Sequence, residues 1–272
     1  MTLHYQQFNK FPQVARVPVQ IVLIHGWAMN SAVWSELVDE LKEIVPVVVL
    51  DLPGYGKSSM LQEEYDLSHL AKSIQPVLEL AEQSIVLGWS LGGMVALELA
   101  QRFSESVKQL ILVGTSPRFV QGDNWPHAVE AEVFHQFADS LKQDINKTIS
   151  RFMVLQMLGS DSAKQDARIV SQSLKNQGEP NPLALDKGLE ILLTEDRREQ
   201  LKSLTLPIAM ICGSRDTLVK RQALESFTSH ANIELYIMSE AGHVPFVSHF
   251  EEFYALLKQA LTNTLNYRSN ER

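Results

Sequence analysis

Cysteine is nearly missing from this sequence. Cys212 is the only one in 272 residues, so no intramolecular disulfide framework holds the fold, and a reducing, cytoplasmic setting is expected. It sits in the apolar run IAMIC and reads as a core residue, not a nucleophile. Long hydrophobic runs are missing too: none approaches the roughly 20 residues needed to span a bilayer. The opening stretch MTLHYQQFNKFPQVARV lacks the basic start, apolar centre and small-residue cleavage site of a secretory signal, so neither a membrane segment nor export is expected. Basic residues are in short supply, 24 Lys plus Arg against 32 Asp plus Glu, and the formal charge of −8 argues against a nucleic-acid or anionic-membrane binder. No internal repeat or low-complexity segment is present, which excludes solenoids and arrays. What remains is 45% hydrophobic residues, enough for one large α/β domain with an inserted subdomain.

The chain is organised around Ser84 to Ala100, SIVLGWSLGGMVALELA. Ile85, Val86 and Leu87 predict a buried strand, Met94, Val95, Leu97 and Leu99 predict a helix, and Gly88-Trp89-Ser90-Leu91-Gly92 between them has the G-x-S-x-G pattern of a nucleophile elbow. Ser90 at the apex of so sharp a reversal needs a strained backbone, and side chains two positions away on either side would collide. The first amides of the following helix, beginning with Leu91, would face an oxyanion on the substrate.

Around this element, strands and helices alternate. Strands are predicted at 21–24, 47–50, 110–113, 208–211 and 233–238, with helices at 32–43, 67–81, 189–201 and 250–265. Buried strands alternating with helices imply a mostly parallel sheet with helices on both faces. From about Pro117 to Asp186 the alternation stops and only helices are predicted, at 125–142, 145–158 and 161–176. The expected organisation is therefore a core of residues 1–116 and 187–272 with a helical lid at 117–186. Its aromatic and methionine side chains Phe134, Phe137, Phe152, Met153 and Met157 are suited to an acyl chain.

In a parallel sheet, chemistry gathers at the carboxyl ends of the strands. Gly213-Ser214-Arg215-Asp216 follows one predicted strand and Ala241-Gly242-His243 follows the last. A serine hydroxyl is a poor nucleophile at neutral pH, so Ser90 needs a general base. His243 would take its proton and return it to the leaving group, while Asp216 would fix the imidazole tautomer. His249, a nearby alternative base, fits a helix start better. His25 is assigned to structural support of the loop beside the elbow, the amide of Trp27 in that loop is the second oxyanion donor, and Asp51 is assigned to stabilising its own loop.

The strings LIHGWAMNSAVW, VLDLPGYGKS, GWSLGG, GSRDTLV and EAGHVPFVSH occur in the order seen in the α/β-hydrolase superfamily, and the chain resembles it. GWSLGGMVALELA, RFMVLQMLG followed by AKQDAR, and GLEILLTEDRR further resemble the pimeloyl-acyl-carrier-protein methyl ester esterase family of biotin synthesis. This resemblance implies an α/β-hydrolase fold with an inserted lid and a serine carboxylesterase that releases methanol from a carrier-bound methyl ester. By position it implies the triad Ser90, Asp216 and His243, with oxyanion donors Trp27 and Leu91. It also implies substrate contacts at Trp27, Trp89, Ser90, Leu91, Phe152, Met153, Val154, Leu155, Gln156 and His243, and no cofactor or metal. Acyl carrier protein is the implied partner of a monomeric enzyme, bound through Lys147, Arg151, Lys164 and Arg168. Lysine at the first and third of these positions keeps the charge but lacks the bidentate fork of arginine.

Charge patterning points the same way. Residues 145–175 hold five basic against two acidic side chains, a local excess in an acidic chain. A basic face of this kind suits an acidic partner, and equally a solvated helix. A broad short-chain esterase or thioesterase would use the same triad, and a ligand receptor on this fold is a further alternative.

Overall fold

The computed structural model describes residues 1–9, 17–156, 171 and 177–265. Its seven-stranded sheet runs in the order β1-β3-β2-β4-β5-β6-β7. The strands are β1 Tyr5–Phe8, β2 Val17–Ile24, β3 Val47–Leu50, β4 Ala81–Trp89, β5 Val107–Val113, β6 Ile208–Gly213 and β7 Ile233–Met238. All neighbours are parallel except β1, which lies antiparallel on β3. Strand β1 was not foreseen, because YQQF is a short polar edge segment with no buried face to pattern it.

Side chains alternate across the strands, so the sheet carries two cores. Ile21, Leu23, Val47, Val49, Ile85 and Leu87 meet Leu37 and Leu41 of α1 (Ser35–Leu41) and Leu257 and Leu261 of α10 (Phe250–Leu265). Val22, Ile24, Val48, Leu50 and Val86 face the other way, onto Leu70 and Ile74 of α2 (Leu67–Leu78) and Leu97 of α3 (Leu91–Arg102). The chain winds outward from β2 to β3 and then returns to β4 on the opposite side of β2. That reversal places a crevice between the carboxyl ends of β2 and β4, where an open α/β sheet binds its ligand.

Four helical expectations shift, the stretch 189–201 spanning the end of one helix, Pro182–Thr194, and the start of another, Arg198–Ser203. The helix predicted over 32–43 divides into a 3₁₀ turn at Ser31–Trp34, whose Ala32 amide donates to Asn30 Oδ1 at 3.1 Å, and α1. The helix predicted over 67–81 stops at Leu78, because Ala81 already pairs with Val17 as the first residue of β4. The helix predicted from Trp125 begins at Ala131 as α4 (Ala131–Gln143). Residues 119–129 are committed instead to a loop in which Gln121 N donates to Val129 O, Val129 N donates to Phe119 O, and Trp125 Nε1 donates to Arg118 O.

The next helix, α5 (Ile145–Gln156), packs on α4. The helix expected at 161–176 lies outside the described residues. The lid border drawn at 186 falls within α6 (Pro182–Thr194), which is continuous and is followed by α7 (Arg198–Ser203). Where the chain leaves and re-enters the sheet, Arg197 N donates to Pro117 O at 2.7 Å and Arg118 pairs with Asp196 at 2.9 Å, tying the two ends of the insertion together. Two short helices, α8 (Arg221–Glu225) and α9 (Pro245–Ser248), complete the fold. Among the described residues no helix is long and apolar enough to cross a membrane.

Candidate active site

Ser90 occupies the reversal between β4 and α3 with φ 55° and ψ −118°, a backbone conformation that side chains rarely adopt. It is held there from both sides. Ser90 N donates to Val113 O at 3.0 Å, and the amides of Gly93 and Met94 donate to Ser90 O. A Cβ on Gly88 would stand 2.4 Å from Gly92 O, so the expected collision across the elbow is present. A Cβ on Gly92 would meet Ile24 O at 2.4 Å, so the second glycine is required by the end of β2 and not by the elbow alone.

Asp216 and His243 arrive on the loops after β6 and β7. His243 Nδ1 donates to Asp216 Oδ2 at 2.8 Å, and both side chains are buried. Since a carboxylate only accepts, the proton lies on Nδ1, which leaves Nε2 a free acceptor. Nε2 is buried and has no partner among the described residues. The other oxygen of Asp216, Oδ1, accepts from the amides of Leu218 and Val219 at 2.8 and 2.9 Å. Asp216 therefore both caps its loop and orients the imidazole. His249 stands between α9 and the start of α10 at Phe250, as expected of a helix start, and its Nδ1 meets Ser248 Oγ.

The loop after β2 supplies the opposite wall. His25 Nδ1 donates to Gly26 O at 2.8 Å and Nε2 accepts from Leu52 N at 2.9 Å, so both nitrogens are used in joining the ends of β2 and β3. Burial holds its pKa below the ordinary histidine value, and the neutral ring is the form this bonding requires. Asp51, fully buried, accepts from Ser31 N and Lys57 N. Both residues have the supporting roles expected of them. The backbone amides of Trp27 and Leu91 donate to no group among the described residues, as oxyanion donors must.

Ser90 opens on an apolar pocket of about 120 Å³ whose walls include Trp27, Phe119, Phe134, Phe137, Phe152 and Leu192. The Trp27 indole is fixed by donation to Leu185 O at 2.8 Å, and it meets the rings of Phe137 and Phe152 edge-on at 5.4 and 5.3 Å. Of the four described side chains among the five consecutive lid positions expected here, Phe152 lines this pocket. Successive helical side chains point about 100° apart, which turns Met153 into the opposite core and Val154 toward solvent. Gln156 is buried beside His243, whose amide donates to its carbonyl at 3.2 Å. The side chain of Leu155 lies outside the described residues, as do Met157, Lys164 and Arg168. Trp89 is likewise displaced from its expected substrate contact. It lies beneath the site, its Nε1 donating to His243 O at 2.9 Å and its ring edge-on to Phe246. Lys147 and Arg151 stand exposed on α5.

Sequence reasoning missed Phe119, Val129, Val133, Leu189, Leu192 and Leu218 in the pocket wall. Leu218 could have been found two positions after Asp216, and Leu189 and Leu192 by their three-residue spacing. Nothing local marks Phe119.

A family model described as alpha/beta hydrolase fold matches residues 20–250. The chain belongs to the alpha/beta hydrolase family. This hydrolase is 38% identical over 247 residues to a pimeloyl-acyl-carrier-protein methyl ester esterase of Pseudoalteromonas atlantica, a match covering 90% of this chain and 93% of that one. It is 39% identical over 241 residues to the protein of the same name from Xylella fastidiosa, covering 88% and 93%. An esterase structure from Exiguobacterium antarcticum superposes with a TM-score of 0.84 over 95% of both chains at 22% identity, a likeness of fold.

Proposed function

We propose that this hydrolase is a serine carboxylesterase that removes the methyl ester from a pimeloyl chain carried on acyl carrier protein, in the service of biotin synthesis. The observation that carries the chemistry is the buried Asp216–His243 pair, whose tautomer leaves Nε2 able to accept, together with Ser90 on a strained elbow. The observation that carries the substrate is the relatedness to methyl ester esterases over nine-tenths of the chain.

In this reading His243 Nε2 takes the Ser90 proton as Oγ attacks the ester carbon, and the amides of Trp27 and Leu91 receive the negative charge that develops on the carbonyl oxygen. His243 then protonates the departing methoxide. Water, deprotonated by the same nitrogen, releases the free acid. The pocket beside Ser90 suits the methylenes, each worth about 0.8 kcal/mol when buried. No cation is found among the described residues of its wall, which favours an ester over a free carboxylate. Lys147 and Arg151 on the outer side of α5 form the described part of a basic face for the acidic carrier, which Lys164 and Arg168 would extend.

The experiment is hydrolysis of the pimeloyl methyl ester with and without its carrier. A higher kcat/KM for the carrier-bound ester is expected, and this advantage should shrink as ionic strength rises. Equal rates on both forms would leave an esterase without this partner.

A further inference from the structure

A second, wider pocket of about 420 Å³ adjoins the apolar one. The two share the walls Val129, Val133, Phe152 and Leu218, but Ser90 lines the apolar pocket and His243 lines the wide one. In ester cleavage by a serine and a histidine, the histidine protonates the departing oxygen, so the alcohol portion lies on the histidine side of the scissile bond. A methoxy group fills little more than the ~30 Å³ share of one water molecule. Most of the wide pocket is therefore unused by a methyl ester.

Its lining is also unlike that of the acyl pocket. Gln121, Gln156 and Thr217 contribute amides and a hydroxyl, with Glu130 and Lys220 also in the wall. Arg215, a further wall residue, is already paired with Glu240. Charges of both signs in this wall select neither an anionic nor a cationic alcohol. An uncharged alcohol with several hydroxyls both donates and accepts, and matches it.

We propose that this hydrolase also cleaves short-chain acyl esters of uncharged polyhydroxy alcohols, with the acyl group in the apolar pocket and the polyol in the wide pocket. The proposal goes beyond the methyl esterase reading while resting on its assignment of Ser90 and His243. Ser90 Oγ bonds to the acyl carbon as the carbon–oxygen bond to the polyol breaks. The serine proton passes through His243 to the departing oxygen, and water then frees the short-chain acid and restores the hydroxyl.

The test compares kcat/KM of the full chain for glycerol monobutyrate, methyl butyrate and hexyl butyrate. Glycerol monobutyrate should exceed methyl butyrate by about tenfold or more, and should also exceed the hexyl ester, whose alcohol is similar in size but apolar. Filling the wide pocket with Gln121→Trp should lower the glycerol-to-methyl ratio by about fivefold or more. Glu130→Trp should do the same from an exposed position, so the outcome does not hang on the folding of one variant. A glycerol ester no faster than the methyl ester, a hexyl ester equal to the glycerol ester, or a ratio unchanged in both variants overturns the proposal. Turnover of methyl butyrate without the glycerol preference overturns this proposal and leaves the Ser90 and His243 assignment standing; turnover of neither butyrate with the carrier-bound pimeloyl methyl ester still cleaved overturns this proposal alone, and loss of all three removes both readings.

Discussion

On the core side of the site, Ser90, Asp216, His243 and His25 are each fixed by hydrogen bonds among buried strand ends and loops. On the lid side, Phe137 and Phe152 meet Trp27 and one another only as rings, at centroid distances of 5.1–5.4 Å. Hydrogen bonds are directional and hold a reacting atom within a fraction of an ångström, whereas ring contacts are tolerant and fill space. The two sides thus differ in kind: the core side is positioned by directional bonds, and the lid side by ring packing.

The largest effect that separates the halves should come from the core. Ser90→Ala and His243→Ala are each expected to lower turnover of any ester by about 10³-fold or more, with the thermal midpoint little changed. His249→Ala should stay within a few-fold of wild type. Steady-state kinetics and melting curves check this, and a severe His249 variant beside a mild His243 variant would reassign the base.

Phe152→Ala should act on selection instead. A six-carbon acyl ester is expected to lose about tenfold in kcat/KM, the order of one or two buried methylenes' worth of contact, while an acetyl ester loses much less. Equal losses across a chain-length series would place Phe152 in the reacting half.

Outside both halves, charge reversal at Lys147 and Arg151 should lower kcat/KM only for the carrier-bound ester, by a factor of about three to ten at low salt. Measuring both substrates across ionic strength decides it, because equal loss on a free ester would point to damage to the lid.

The smallest effect is on stability. His25 has its folded pKa held below its unfolded value of about 6.5, so below that pH the unfolded chain binds a proton that the folded chain refuses. Stability should therefore fall as pH drops through that range, with this group contributing at most about 1.4 kcal/mol per pH unit. Urea titrations at pH 7.5 and 5.5 should show a smaller drop for His25→Asn than for the wild type.

How much of this was legible in the sequence follows the same division. The strands at Val47–Leu50 and Ile233–Met238 end where the periodicity ends, and the closing helix begins at Phe250, where its pattern begins. The elbow was legible because its glycines and its apolar strand are contiguous. Elements whose signal is long-range were not. Strand β5 begins at Val107, before the apolar run, and takes in the buried Gln109, whose Nε2 donates to Ala260 O, 151 residues away. The helix that should have begun at Trp125 starts later, since the Trp125 indole is spent on Arg118. In the lid, the residue types were legible but the rotation of α5 was not: Phe152 faces the apolar pocket and Gln156 the wide one, while Met153 turns into the core and Val154 toward solvent.

The two oxygens of Asp216 have a consequence for which residue can stand there. One accepts from two loop amides and the other from His243. Asparagine has nearly the same shape, but one of its ends donates. If that end turned toward Leu218 and Val219, donors would face donors and the loop would lose its cap. If it turned toward His243, Nδ1 would have to accept, the ring proton would move to Nε2, and the nitrogen meant to take the serine proton would already hold one. Neither orientation is free of fault, so the position demands a residue that accepts from both sides. The fold of the loop and the direction of proton transfer thus impose the same chemical requirement on one side chain.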